Sequence, residues 1–382
     1  MACAAMWQRR VLLFGATATL GLLSIPNASA QGAPPSVRAT QSATSVEAYW
    51  TAERLKSAVP RDMPKVTDTS RKANDAPPTG KGSFHSGSAP TLDVGTDMEK
   101  QLFVPDKSSA TSAPEPSDFG TGGYYFTTSR VFPDGAVKVY PNRAAGKLYF
   151  SDTVHGGNFV CSASVIAYRL IVTAGHCVAH GSTDSGTRHF YSNFLFVPAF
   201  NQGKAPYKSW SWTNATTTNN WYLSGAVPNL QDVGIIGLAD TNYKRVLHRI
   251  GEVTGWLGWW TLGGRQLNNQ VTQLGYPCNL DSCARMEINS AGGVGIVTNN
   301  LEIGSLMSGG SSGGPWVQDY GVAPVGASSY TAGNWVLATT SYEYLPNTNR
   351  RMGASIFQNA GYAGHGFVDL WNTACAWRAG NC

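Results

Sequence analysis

Charge is scarce in this chain. Asp, Glu, Lys and Arg make up only 13% of its 382 residues, and the formal net charge is +5. Basic residues gather at most in pairs, so the clustered Lys and Arg that mark a nucleic-acid partner are missing and that class is excluded. Long apolar runs are also few. The main one, Val11 to Ile25, is broken by Gly15, Gly21 and threonines, which makes it short for a span of roughly 20 apolar residues. No later segment does better, so no membrane partner is expected. No C-x-x-C pair faces a second pair at zinc-binding spacing, so neither a metal nor an organic cofactor is expected.

What is present divides the chain in three. Arg9 and Arg10 precede the apolar run, and Ala28-Ser29-Ala30 follows it, which reads as a signal peptide over residues 1–30 cut after Ala30. Cys3 lies inside it and Gln31, not a Cys, stands directly after the cut, so an exported, soluble protein without a lipid anchor is expected. From Gln31 to about Gly120, Pro, Ser, Thr, Lys and Asp dominate. Too little apolar surface is available there for independent folding, so residues 31–120 read as a largely disordered pro-region. A linker or a substrate-docking segment is the alternative. Thr44 followed by Glu47 is a capping-box pattern and predicts one short helix before Pro60.

Beyond Tyr124 the pattern changes to short apolar runs separated by turn residues. They include Val137 to Tyr140, Lys147 to Phe150, Val160 to Val172, Phe194 to Val197, Ile235 to Leu238, Gln270 to Tyr276, Met286 to Ile288, Gly295 to Thr298, Trp316 to Gln318 and Val322 to Ser328. With 43 glycines and 11% aromatics this predicts an all-β domain, a sandwich or a barrel. Trp256, Trp259 and Trp260 suit packing better than a carbohydrate or peptide site.

Two short motifs carry chemistry. Thr173-Ala174-Gly175-His176-Cys177 holds a histidine, and Gly310-Ser311-Ser312-Gly313-Gly314-Pro315 holds a serine among glycines. A serine hydroxyl is a weak nucleophile until an imidazole takes its proton. The glycines let the backbone turn its N–H groups toward an oxygen that is gaining negative charge. His155, His180, His189, His248 and His365 have no such motif and read as structural.

In these residues the chain resembles the chymotrypsin-fold (trypsin-like) serine peptidases, in style the secreted bacterial V8/glutamyl-endopeptidase-like branch. The resemblance covers roughly residues 125–377. It implies two six-stranded antiparallel β-barrels with a C-terminal helix, all within residues 121–382. The first barrel spans about 125–255, the second about 262–365 and the helix about 367–377. The family's order places an Asp between the His and the Ser. Asp232, opening the apolar run Val233 to Leu238, fits best, and Asp184 and Asp240 are rivals better suited to loop or turn roles. The resemblance then implies catalysis by His176, Asp232 and Ser312, with the N–H groups of Gly310 and Ser312 as the oxyanion hole.

The partners implied are protein or peptide substrates, cut by a monomeric endopeptidase through an acyl-enzyme. A catalytically inactive binding or adhesion module on the same fold is the alternative. Six cysteines remain after the signal peptide and allow fifteen pairings. Cys161 and Cys177 resemble the family's disulfide at the catalytic His, and the spacing of the rest argues for Cys278–Cys283 and Cys375–Cys382. One departure is Ser311, where digestive relatives carry an Asp that receives the new N-terminus on activation. Leu306 stands where a basic-specific pocket would place an Asp, no His lies between Ser312 and His365, and Val325 to Ser329 is small and neutral. An apolar or small neutral side chain before the scissile bond is therefore expected.

Overall fold

Six strands close on themselves in the first half of the chain. In ring order they are Trp210–Thr217, Ser192–Pro198, Ala145–Ser151, Asn158–Val165, Leu170–Thr173 and Gly234–Leu238, the last pairing back to the first. Every neighbouring pair is antiparallel, and closure removes the exposed strand edges that would otherwise seek partners. The computed structural model describes residues 32–67, 82–105, 125–228, 231–261, 270–292, 295–297, 300–321, 333–345, 350–361 and 365–382. The expected signal peptide lies outside these residues.

Among the described residues a second, eleven-stranded system draws mostly on the second half of the chain. Its path runs Gly295–Val297, Asn300–Gly304, Arg351–Ile356, Trp335–Tyr344, Pro315–Gln318, Val271–Gly275, Glu287–Ala291 and Phe126–Arg130, with Lys65–Val66, Phe84–His85 and Gly258–Trp260 added at the side. Two distant members of this path are tied by a side chain, the Asn289 amide donating to the Gly304 carbonyl at 2.9 Å. The helix Phe367–Ala376 turns back onto Gly234–Leu238 and Trp210–Thr217 of the first barrel. This is the chymotrypsin-like two-barrel arrangement with its C-terminal helix. All three expected disulfides form, Cys161–Cys177, Cys278–Cys283 and Cys375–Cys382.

Two local expectations change. Val137 to Tyr140 is not a strand; Asp134–Lys138 is a 3-10 turn, because Pro133-Asp134-Gly135 is turn chemistry that the apolar residues after it do not override. Val322 to Ser328 lies outside the described residues, between the strands Pro315–Gln318 and Trp335–Tyr344.

The larger correction concerns the N-terminal segment. Its described parts, 32–67 and 82–105, are folded onto both halves rather than disordered. Ser36–Arg38 extends the first barrel by pairing with Trp210–Thr217, and Phe84–His85 pairs with Gly258–Trp260. Two helices replace the single one expected, Ala43–Tyr49 capped by Ser42 and Ala52–Ser57 capped by Thr51. Val46, Trp50, Leu55, Val94 and Met98 are buried in the same apolar core as the first barrel. The Trp50 indole also donates to the Asn193 carbonyl at 2.6 Å. Apolar residues too sparse to build a core of their own are enough when the barrel supplies the other side.

Candidate active site

The strand Leu170–Thr173 runs directly into a tight turn, Gly175–Cys177, that carries His176. Its neighbour Gly234–Leu238 pairs with it so that Gly234 faces Thr173, and this register sets Asp232 beside the turn. Asp232 is fully buried, and Asn229 and Leu230 just before it lie outside the described residues. Three groups meet its carboxylate. The His176 backbone N–H donates to Oδ1 at 2.8 Å, His176 Nδ1 lies 2.8 Å from Oδ2, and the Ser341 hydroxyl donates to Oδ2 at 2.6 Å. An ionised carboxylate only accepts, so the ring hydrogen sits on Nδ1 and Nε2 keeps its lone pair. Trp221 packs against the ring in a T-shaped contact, with centroids 6.0 Å apart.

The loop of Ser312 is anchored by its carbonyls. Cys278 N–H donates to the Gly309 carbonyl at 2.7 Å, and Gly314 N–H donates to the Ser311 carbonyl at 2.9 Å. A trans peptide points its N–H away from its carbonyl, so the Gly310 and Ser312 N–H groups face away from those anchors. Gly310 has φ +97°, and a Cβ there would lie 2.5 Å from the Tyr276 carbonyl oxygen. At Gly313 a Cβ would lie 2.0 Å from Thr173 Oγ1, so the serine loop sits hard against the strand leading to His176. Ser162, next to Cys161 of the disulfide, holds the loop twice: its N–H donates to the Ser312 carbonyl at 2.7 Å and its hydroxyl to the Gly310 carbonyl at 2.9 Å.

The geometry thus joins His176 to Asp232 and seats the Ser312 loop against them. It does not hydrogen-bond Ser312 to His176: Ser312 Oγ and His176 Nε2 are both buried and without a partner among the described residues. Catalytic hydrogen bonds are often long until substrate is bound.

Other sequence candidates take different roles. Asp184 lies in a loop, accepting from Gly186 N–H at 2.9 Å. Asp240 is not a turn residue but an ion-pair partner, held by Arg169 at 2.6 and 3.0 Å and by Arg378 at 3.0 Å. Ser311, the departure from the family pattern, is satisfied locally by donating its hydroxyl to the Ser308 carbonyl at 2.7 Å. His248 pairs with Glu252 at 3.4 Å, and His365 is buried. His155 and His189 both face the buried carboxylate of Asp152, at 3.1 and 2.9 Å, with His180 alongside. The ligand atoms of Asp152, His155 and His189 lie within 4.8 Å of one another, close enough to share a cation. Cys161 and Cys177 beside His176 are consumed by their disulfide.

Sequence reasoning missed Ser341. A neutral serine inside a ten-residue, wholly buried strand carries no local signal. Glu302 could have served as a charged group of the side-chain pocket. It is fully buried and engaged by the hydroxyls of Tyr342 and Tyr344, with Arg351 at 3.9 Å. Burial first, and then this carboxylate, push the Tyr344 phenol up, which keeps it a donor.

No protein-family model matches the chain, and no curated protein matches it. Among solved structures it is similar to protease Anisep from Arthrobacter nicotinovorans, at 24% identity over 61% of this chain and 96% of that one, TM-score 0.48. It is also similar to a thermostable serine protease from an extremophilic microorganism, at 22% identity over 59% and 97%, TM-score 0.46. A Glu endopeptidase solved with MPD matches at 18% identity over 68% of this chain and 98% of that one, TM-score 0.49.

Proposed function

We propose that this chain is a secreted serine endopeptidase, made as a pro-form, that hydrolyses peptide bonds through an acyl-enzyme. The observation that carries the reading is the hydrogen-bonded chain Ser341–Asp232–His176, which leaves a lone pair on His176 Nε2 beside the glycine-anchored loop of Ser312. In the first step Ser312 Oγ attacks the substrate carbonyl carbon while His176 Nε2 takes its proton. The Gly310 and Ser312 N–H groups stabilise the oxyanion, each such donor being worth on the order of a hundredfold in rate. The imidazolium then protonates the leaving amine, and water, deprotonated by His176, releases the acid. Asp232 holds the tautomer and balances the imidazolium charge throughout.

An apolar or small neutral residue before the scissile bond fits the engagement of Glu302 by Tyr342, Tyr344 and Arg351, which leaves its charge compensated by the protein itself. The test is prolonged incubation with a fluorophosphonate, peptide mapping of the adduct, and hydrolysis of casein. An adduct on Ser312, together with loss of adduct and hydrolysis in Ser312→Ala, is the expected result. Folded protein that never reacts would instead mark an inactive binding module.

A further inference from the structure

The N-terminal segment does more than decorate the barrels. Val59–Pro60 pairs in parallel with Asn158–Val165, setting Pro60 opposite Val160, and the Arg61 N–H donates to the Val160 carbonyl at 3.1 Å. A few residues on, Lys65–Val66 pairs in parallel with Trp335–Tyr344, Lys65 opposite Glu343. There the Glu343 N–H donates to the Pro64 carbonyl at 3.1 Å and the Leu345 N–H to the Val66 carbonyl at 2.8 Å. The two anchorages straddle the site. Val160 is two residues before Ser162, which holds the Ser312 carbonyl, and Glu343 is two residues after Ser341, which holds Asp232.

Asp62 and Met63 form the short bridge between them. Asp62 is exposed, whereas Met63 is buried in an apolar cluster with Met307, Ile303, Trp316 and Met352, against which Leu306 packs. Leu306 and Met307 lie just upstream of Ser312 on the nucleophile's own loop. Pro60 reaches the same loop, 3.3 Å from where a Cβ on Gly309 would stand. The Arg61 guanidinium lies over Phe159 and Tyr191, 4.9 and 5.1 Å from the ring centroids. Beneath this cover Ser312 is 0% and His176 3% exposed.

We infer that residues 59–66 are a built-in occupant of the peptide-binding cleft, with Met63 in the side-chain pocket, and that the chain is latent while they stay in place. The inference rests on the protease reading of the same site. Adding a strand to two available edges is how an extended peptide is recognised, main-chain bonds giving affinity and a pocket giving specificity. A tethered peptide competes at an effective concentration that reaches the mM range, so untethered substrates are held out. The occupant also escapes being cut. Among the described residues none of its carbonyls accepts from the Gly310 or Ser312 N–H, and both strand pairings are parallel. Filling of the pocket by Met63 further marks it as one for an apolar side chain.

The experiment follows the rate of fluorophosphonate labelling at Ser312 in the full chain, with mass spectrometry verifying that residues 59–66 are still attached in the labelled species. Met63→Glu places a charge in the apolar cluster, and Arg61→Pro deletes the N–H given to Val160. Each is expected to label at least tenfold faster than the parent, while Met63→Leu stays within about threefold. A synthetic peptide of residues 57–68 is expected to slow the Met63→Glu variant again. Equal labelling rates for parent, Met63→Glu and Arg61→Pro would overturn the occupant while leaving the protease reading intact. No labelling of any folded variant would sink the protease reading instead. If Met63→Glu does not fold, Arg61→Pro, which leaves the apolar cluster untouched, decides alone.

Discussion

Replacing Asp232 by asparagine probes the hydrogen-bond chain at its most constrained point. Both carboxylate oxygens are in use, and the His176 backbone N–H at 2.8 Å needs an acceptor at Oδ1. The amide oxygen of the substituted side chain would be drawn to that N–H, which turns its NH2 toward His176 Nδ1 and Ser341. An NH2 facing Nδ1 makes Nδ1 an acceptor and moves the ring hydrogen to Nε2, the atom that must take the Ser312 proton. The volume is unchanged and Ser341 can rotate to accept, so the fold is retained. The expected loss is in the transition state alone, about 10³- to 10⁴-fold in rate or roughly 4–5.5 kcal/mol. Time-resolved labelling of Ser312 by the fluorophosphonate, in a Met63→Glu background and alongside the same variant with Asp232 intact, reads it directly. Circular dichroism checks that both are folded. A rate within tenfold of the Asp232 protein would mean that this carboxylate does not set the tautomer, and the chemical reading of the site would fail with it.

Two further outcomes concern the scaffold and are best measured in a Ser312→Ala background to prevent self-digestion. Burial lowers the Lys147 pKa from 10.5 to about 7, although its ammonium donates to the Cys283 carbonyl at 3.0 Å and lies near the rings of Tyr149 and Phe200. Between those values the unfolded chain binds a proton that the folded one does not, so stability rises with pH by up to about 1.4 kcal/mol per unit and the burden is full at and below about pH 7. Lys147→Met removes that term: its stability relative to the parent is expected to fall by about 1–3 kcal/mol between pH 7 and 9, and a pH-independent difference would show that the amine is not desolvated. Trp50→Ala is expected to cost about 3–5 kcal/mol, because it empties a site in the first barrel's core and strips the Asn193 carbonyl of its donor. A loss below about 1 kcal/mol in denaturant titration would mean that the N-terminal helices are only loosely held.

The turns that carry His176 and Ser312 were legible because their glycines have local reasons: Gly310 and Gly313 have positive φ, and a Cβ at Gly175 would lie 2.7 Å from the Trp221 ring. The first barrel was legible from runs such as Ile235 to Leu238, where a buried strand is continuously apolar. Trp335–Tyr344 was not, since its Thr, Ser and Glu are buried by partners from distant segments and mimic a loop composition. Ser341 was hidden for the same reason. The N-terminal segment misled most. Composition reports whether a stretch can fold alone, and Val46, Trp50 and Met63 are buried only because other parts of the chain cover them.

The parallel pairing of Lys65–Val66 with Trp335–Tyr344 also sets a timetable. Residue 65 leaves the ribosome long before its partner strand is made. Contacts so far apart in sequence form late, since the loop between them must close before the pairing rewards it. The Ser312 loop precedes Trp335–Tyr344 in the chain, and Ser341, whose hydroxyl donates to Asp232, belongs to that same strand. Completing the Ser341–Asp232–His176 chain and pairing Lys65–Val66 therefore both depend on the docking of this strand. On the reading proposed above, a chain that folds in this order has no interval in which a completed, uncovered site meets other unfolded chains.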